Sequence, residues 1–459
     1  MTKPIPPLVS GALPLLGHAL EFRSDRTGLF QRGYQEHGKL FALKLFNQNV
    51  AVVIGPEYQR IFFMETDKAL GIQEPYRFLR AMFGDVLFLA PHDVYLDHRA
   101  VVLEAFRREK MLHYGNVMQT VIGRWLDGLG DSGEIELVQG LTRLIQDVAG
   151  TCFLGEDVHQ QLGRDFWDLY SVMAEGMDPL LPPSLPLPKF IRRDRAKARL
   201  QAILEPVIAE RRAHPERYDD FLQDLVNKRY PDGRLAEQEL IVNLLLGLMF
   251  AGHETTVGQA SWTIIMLLQH PAYLAQVQQE IAAIAPADTP LDARQIMQLE
   301  RIAWAVREVE RTHPSVDMLM RTVKEDVDLG DYIIPQGWLA QVAQNIAHNL
   351  PELFPEPDRF DPLRYAPDRA EDKQDRFALI GFGGGTHKCT GMNFANLEMT
   401  LITAQLLQRF ELELLPPAPT VEFGLGASRP SATRLRYRSR RQVDAFRHPA
   451  QELPPTFEP

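Results

Sequence analysis

Cysteine is almost missing from this chain: there are two in 459 residues, Cys152 and Cys389. That scarcity excludes a disulfide framework and suits a reducing, cytoplasmic compartment. Without a Cys-x-x-Cys pair, a zinc ribbon and the Cys-x-x-Cys-His attachment of a c-type haem are excluded as well. The N-terminus lacks a charged segment followed by a long apolar run and holds four prolines in its first fourteen residues. Neither a signal peptide nor a membrane span is expected there. Positive charge is also short: 49 Lys and Arg against 60 Asp and Glu leave a formal net charge of −11, which argues against nucleic acid as a partner. No repeat and no linker-like stretch divides the chain, so residues 1–459 are expected to form a single domain.

Glycine, by contrast, is concentrated in one place, the stretch IGFGGGTHKCTGMNFA at 380–395. Phe382, Gly385, Cys389 and Gly391 give the spacing Phe-x-x-Gly-x-x-x-Cys-x-Gly. Each position has a use if Cys389 is a thiolate ligand of haem iron. The sulfur must approach a flat macrocycle closely, which needs glycines that turn sharply without a side chain. Backbone N–H groups in the turn can spread the sulfur's charge, and Phe382 can shield it from water. The plainer alternative is a buried, inert cysteine behind a surface turn. A phosphate-cradling loop is rejected because Gly-Gly-Gly-Thr-His-Lys lacks the Gly-Lys-Ser/Thr ending.

The rest of the chain reads as mainly α with small β-sheets. Lys39 to Ile54 reads as two strands with Asn47, Gln48 and Asn49 as their turn. Gln73 to Pro91 is irregular and aromatic, fit to pack a core or to cover a cavity. Helices at Phe166 to Glu175 and Ile191 to Arg212 flank DPLLPPSLPLP, in which five prolines forbid helix. The most apolar segment, Leu240 to Leu268, predicts a long central helix, and its polar middle argues against a membrane span. Met297 to Thr312 and Asn393 to Arg409 read as further helices.

Within that middle, AGHETT, Ala251 and Thr255 share a helix face, and Gly252 lets a flat group or dioxygen approach the backbone. A mid-helix Thr255 hydroxyl can compete for a backbone carbonyl and open a local bulge, and Glu254 beside it offers protons, so the pair could relay protons to bound dioxygen. The alternative is a threonine satisfied by its own helix. Glu308 and Arg311 lie three apart on a helix, and Arg364 follows Pro362. Together these three could form a buried clamp for the cysteine loop. Haem propionates need cations and donors, for which Arg99, Arg321 and His387 are candidates. Lys388, with Arg434, Arg436, Arg438 and Arg440 alternating on one strand face, offers a docking patch for an acidic electron-transfer protein.

Taken together and in order, these motifs resemble the cytochrome P450 haem-thiolate family over essentially the whole chain. AGHETT resembles its central-helix motif, Glu308 and Arg311 its Glu-x-x-Arg pair, Pro362 to Tyr365 its Pro-x-Arg-aromatic element, and Phe382 to Gly391 its ligand loop. Tyr95 and Arg99 resemble the family's Trp-x-x-x-Arg with Tyr in place of Trp. The resemblance implies the cytochrome P450 fold without a fused reductase, with haem b held between the central helix and the cysteine loop. It places Tyr76, Tyr95, Arg99, Arg321, Phe382, His387 and Gly391 about the cofactor. Lipophilic substrate would face Phe78, Leu79, Phe83, Phe250, Ala251 and Val316. The implied reaction inserts one oxygen atom from O2, with electrons from an external ferredoxin or flavodoxin type donor. The runs PYRFLRAMFG, GMDPLLPPSLPLPKFIRRD and THPSVDMLMR resemble bacterial sterol 14α-demethylase-like members. The chain departs from them at Glu254, where they carry His, at Ala81, where they favour Pro, and in a shorter 84–89 segment. Sterol 14α-demethylation, peroxide-driven chemistry and a non-catalytic haem sensor are the alternatives.

Overall fold

The computed structural model describes residues 3–230, 233–285, 289, 291–423 and 427–440. The apolar run forms the middle of a 32-residue helix, Gln238–Gln269, about 48 Å long at 1.5 Å per residue. Leu and Met supply strong helix formers, and no proline interrupts them. Residues 241–249 and 256–267 are all buried. This is the one described helix long and apolar enough to cross a membrane. Its apolar character is accounted for by the helices packed round it, Leu137–Leu154, Glu300–Thr312 and Met392–Arg409. Only at Ala251 and Gly252 does its interior stretch become exposed.

A five-stranded sheet lies apart from this helical core, in the order 40–45, 48–53, 339–343, 318–323, 70–71. The first pair is a hairpin with Leu45 opposite Gln48. Its turn is therefore Phe46 and Asn47, not Asn47 to Asn49. A two-residue connection needs the left-handed region, and Phe46 takes it at φ 55°. The helix expected at Phe166 to Glu175 starts earlier, at Glu156, with a kink at Gly163 (φ 55°). It packs beside Pro188–Ala213. The proline-rich connection between them stays non-helical, pinned where Asp178 accepts from the Leu180 and Leu181 amides and pairs with Lys189.

The cysteine loop is secured by a buried ionic network. Glu308, Arg311 and Arg364 are each 0% exposed. Arg311 donates through Nε and Nη2 to both Glu308 oxygens, at 2.9 and 2.8 Å. Arg364 Nε reaches Glu308 Oε1 at 3.2 Å, and the Asp361 amide and Tyr365 hydroxyl donate to the same carboxylate. Both Nη2 groups also donate to backbone carbonyls, of Pro357, Glu356 and Arg359, and Arg364 Nη1 donates to Glu371 Oε2 at 3.0 Å and to Pro355 O. Arg311 Nη1 also donates to His348 O, and the His348 ring accepts the Ile380 amide at 3.0 Å. Gln344 holds the Ile380 carbonyl, so both backbone groups at the start of the cysteine stretch are tied down.

Arg311→Ala would leave Glu308 buried with its best partner gone, a loss expected to cost about 3–5 kcal/mol. Denaturant unfolding of the holoprotein measures it, and a change within roughly 0.5 kcal/mol, the range of an ordinary surface substitution, would disprove a buried clamp. A second expectation concerns pH. Burial, with Arg311 adding to it, holds His348 down to about 3 and His313 to about 4. The unfolded rings titrate near 6.5, so their contribution is complete above that pH and is lost as pH falls toward the folded values. Each ring should subtract about 1.4 kcal/mol of stability per pH unit below pH ~6.5, while buried carboxyls raised by burial contribute in the opposite sense. Unfolding curves at successive pH values check this as a difference between wild type and His348→Gln, which should lack one ring's share of the pH dependence.

Candidate active site

Cys389 sits at the foot of a cavity of about 390 Å³, whose walls also include Ala251, Gly252 and Thr255 from the central helix. Its N–H donates to Phe382 O at 2.9 Å, closing the loop on the residue expected to shield it. The amides of Gly391 and Met392, at the N-terminus of helix Met392–Arg409, donate toward the sulfur. Burial pushes the thiol up, and these amides oppose it at the positive end of the helix dipole. The residue is crowded by protein yet accessible, because its open side faces the cavity. Gly383 and Gly385 take φ of 72° and 63°, and a Cβ on Gly385 would stand 2.8 Å from Phe63 O. The turn therefore depends on glycine at these positions.

The residues present fit haem b. A thiol with two amide donors faces the one stretch where the buried central helix is bare, and a Cβ on Gly252 would meet nothing within 4 Å. To one side lies Arg321, 2% exposed. Its guanidinium donates to Thr66 Oγ1 at 3.1 Å and to Met320 O at 2.8 Å. Asp67, the carboxylate in its surroundings, is taken by His92 and His387. Burial pulls the Arg321 pKa down, and a cation so placed calls for an anionic ligand such as a propionate.

Other expected cofactor residues gather nearby. Tyr95 OH and Arg99 Nε both donate to Thr386 O, at 2.9 and 2.8 Å, and the Tyr95 ring stacks on His387 at 4.1 Å. Tyr76 OH accepts from the Met320 amide at 3.1 Å, next to Arg321. Among the expected pocket residues, Leu79, Phe83, Phe250, Ala251 and Val316 line the cavity, with the Phe83 and Phe250 rings 5.2 Å apart. Phe78 does not. It shares the 3₁₀ helix Glu74–Leu79 with Leu79, and neighbours on a three-residue turn diverge, so Phe78 packs against the core instead. None of residues 178–187 forms a wall of the cavity.

Thr255 Oγ1 donates to Ala251 O at 2.8 Å, and the helix runs on without a break. The local bulge expected from its sequence is not formed. Ser315 Oγ donates to the Thr255 carbonyl at 2.9 Å. Glu254 lines the cavity with Oε1 3.4 Å from His253 Nδ1 and Oε2 3.6 Å from Arg429. Burial opposes its ionisation, but His253 and then Arg429 hold the carboxyl below the usual range.

Sequence reasoning missed both of these partners. His253 carried a signal, as the only titratable neighbour of Glu254 on the N-terminal side. Arg429 carried none, since it comes from a distant strand. It also missed Glu310 and Glu398 on the cavity wall, which burial lifts to about 7 and about 8. Arg434, Arg436 and Arg438 do lie on one exposed strand face, while Arg440 stands past the end of the strand and is half-buried. Arg434 and Arg436 pair with cross-strand Glu134 and Glu413, and Arg440 stands by Glu411, whereas exposed Arg438 has no ion pair among the described residues.

The profile of a family described as Cytochrome P450 matches residues 6–432. A sterol 14alpha-demethylase from Mycolicibacterium vanbaalenii is 33% identical over 449 residues, covering 95% of this chain and 98% of the relative. A sterol 14-demethylase from Arabidopsis thaliana is 32% identical, covering 92% and 88%. Among solved structures, a retinoic acid bound cyanobacterial CYP120A1 superposes with a TM-score of 0.86 at 28% identity, covering 96% of this chain and all of that one.

Cys389→Ser should abolish the red-shifted Soret band that a thiolate ligand gives with carbon monoxide. Reduced-minus-CO spectra of the purified variant test it, and an undiminished thiolate-type band would overturn the ligand assignment.

Proposed function

The chain belongs to the cytochrome P450 family and is a haem b monooxygenase, and on that premise we propose how it works: Glu254 and Thr255 deliver protons at the cavity while a separate ferredoxin or flavodoxin type protein supplies electrons. Haem b, bound through Cys389, supplies the reduction of dioxygen and the insertion of one oxygen atom into a lipophilic substrate. The observation that carries the reading is that Glu254 and Thr255 line the same apolar cavity as Cys389, from the central helix across it.

The work left to this chain's own residues is positioning and proton transfer. Cys389 and its two amide donors hold one side of the site. Arg99, Arg321, Tyr76, Tyr95 and His387 supply cations and donors for two carboxylates at the rim. Leu79, Phe83, Phe250 and Val316 exclude water and orient an apolar molecule toward Ala251 and Thr255. Glu254 is ionised at neutral pH, so it can accept a proton on the His253 side and return it toward Thr255. The Thr255 hydroxyl must turn away from Ala251 O to hand a proton into the cavity. That sacrifices one hydrogen bond of about 1 kcal/mol, small beside the barrier that a positioned donor removes.

Sterol 14α-demethylation is the second reading, favoured by relatives of that name over nearly the whole chain. Glu254 in place of His is the feature that sets the two apart. A spectral titration of the ferric protein with sterols, terpenes, fatty acids and macrocycles separates them. A low-spin to high-spin shift with a sterol alone, followed by 14-demethylated product, would select the second reading.

For the relay, Thr255→Ala should keep consuming reductant while product falls roughly tenfold and peroxide rises, and Glu254→Gln should slow turnover by roughly 100-fold. Oxygen, reductant and product balances measure both. Unchanged coupling in Thr255→Ala, or wild-type turnover with peroxide alone, would sink the proposal in favour of peroxide-driven chemistry.

A further inference from the structure

Among the described residues, one group of three His, Cys, Asp or Glu side chains holds its ligand atoms mutually within 4.8 Å. It consists of Asp67, His92 and His387. The three come from separate segments: the turn after helix Pro56–Met64, the first residue of helix His92–Ala105, and the cysteine loop. His387 Nε2 lies 2.6 Å and His92 Nδ1 2.9 Å from the same oxygen, Asp67 Oδ2. Two imidazoles aimed at one carboxylate oxygen are more than a hydrogen-bonded pair needs.

Each ligand is held from behind. Asp67 takes a left-handed φ of 72°, its N–H donates to Leu70 O at 2.7 Å, and the neighbouring Thr66 hydroxyl donates to Phe62 O at 2.8 Å. That turn presents the carboxylate rigidly. The His387 ring is fixed by Tyr95, stacked 4.1 Å away at 18°, and Tyr95 is itself tied to the loop through Thr386 O. The side chains of His387 and Asp67 are only 7% and 9% exposed, whereas that of His92 is 45% exposed. Two ligands are dry and preset, and the third stands where an ion enters from water.

We propose that Asp67, His92 and His387 form a binding site for one divalent transition-metal ion of the zinc class, ligated by Asp67 Oδ2, His92 Nδ1 and His387 Nε2. The donor set selects the class. Two imidazole nitrogens and a carboxylate suit Zn²⁺ or its first-row neighbours, while Mg²⁺ and Ca²⁺ prefer shells made of oxygen. Bonds of about 2.0–2.2 Å put ligand atoms roughly 3.3 Å apart, so the ion needs His387 Nε2 and His92 Nδ1 to open from Asp67 Oδ2 by about 0.7 and about 0.4 Å. His387 coordinates through Nε2, which leaves Nδ1 to donate to a second carboxylate, the arrangement that orients and strengthens histidine ligands. Arg321 and Arg99 stand in the same neighbourhood and lower the affinity below that of a closed cage, to the micromolar range. An ion here joins the cysteine loop to two segments distant in sequence.

The test is calorimetric titration of chelator-stripped holoprotein with ZnCl2, with thermal unfolding at each point. One equivalent should bind with micromolar affinity and raise the melting temperature, and MgCl2 should do neither. Asp67→Asn and His92→Ala should each weaken binding at least tenfold and remove the thermal shift. His214→Ala, an exposed histidine beside Glu210 and Glu216, should change nothing. His92 is exposed, so its variant keeps the fold and decides the matter even if Asp67→Asn does not. Absence of a stoichiometric site, or undiminished zinc binding in His92→Ala, overturns the proposal and leaves surface histidines as the only binders.

Discussion

A cysteine sulfur that must be bare toward a flat ligand and covered from every other direction is the constraint on which the rest of this structure depends. Covering it calls for backbone, because side chains large enough to shield it would also fill the slot. The chain meets this with glycines in left-handed conformations that fold the loop under Phe382, and with a helix whose first amides point at the sulfur. A glycine-rich loop has little rigidity of its own. Its position is therefore imposed from outside, through the Ile380 amide and carbonyl, the Gly381 amide on Glu310, and ultimately the Glu308, Arg311 and Arg364 network. The opposite side of the slot is solved by omission, a helix left bare at Ala251 and Gly252.

Buried carboxyls near the slot are divided by their partners. Glu308 has two guanidiniums, an amide and a phenol, so its charge is fully paired. Glu254 faces a histidine and an arginine and is kept ionised. Glu310 and Glu398 have no guanidinium in direct contact. Burial lifts them to about 7 and about 8, so near neutrality Glu310 is about half protonated and Glu398 mostly so. This ordering is physically coherent. A second full negative charge beside a thiolate would cost more than protonating a carboxyl, whereas on the far wall an ionised group is what proton transfer requires.

The parts legible in the sequence are those whose physics is local. A glycine cluster round a lone cysteine, a long apolar run with a polar middle, and a carboxylate three residues before an arginine each declare a geometry within one element. Cys389 lines the cavity and Glu308 pairs with Arg311 in the structure, whereas the bulge expected at Thr255 is not formed. What stayed hidden depends on contacts between distant elements. Arg429 reaches Glu254 only because strand 428–430 packs on the central helix. Arg434 and Arg436 read as part of a free basic stripe because their partners at Glu134 and Glu413 are contributed by other strands. Phe78 was lost for a different reason: which of two adjacent apolar residues faces a cavity follows from the phase of a short 3₁₀ turn, and no pattern in an irregular stretch fixes that phase.

The division between what is local and what is not coincides with the division between chemistry and selectivity. Everything that sets the reaction is anchored by buried ionic pairs or by glycine geometry, where a single substitution leaves an unpaired charge or a clash. The walls that face substrate are held by dispersion and apolar burial alone, from Leu79 and Phe83 across to Phe250 and Val316. Swapping hydrophobic groups of similar volume there costs under ~1.5 kcal/mol. Such walls can be reshaped without disturbing the thiolate or the relay. Of the polar groups lining the cavity, Gln259 and Ser315 lie beside Thr255, and Ser315 already holds the Thr255 carbonyl. Shape therefore outweighs hydrogen bonding on the apolar part of the cavity, where the Phe83 and Phe250 rings lie tilted 5.2 Å apart.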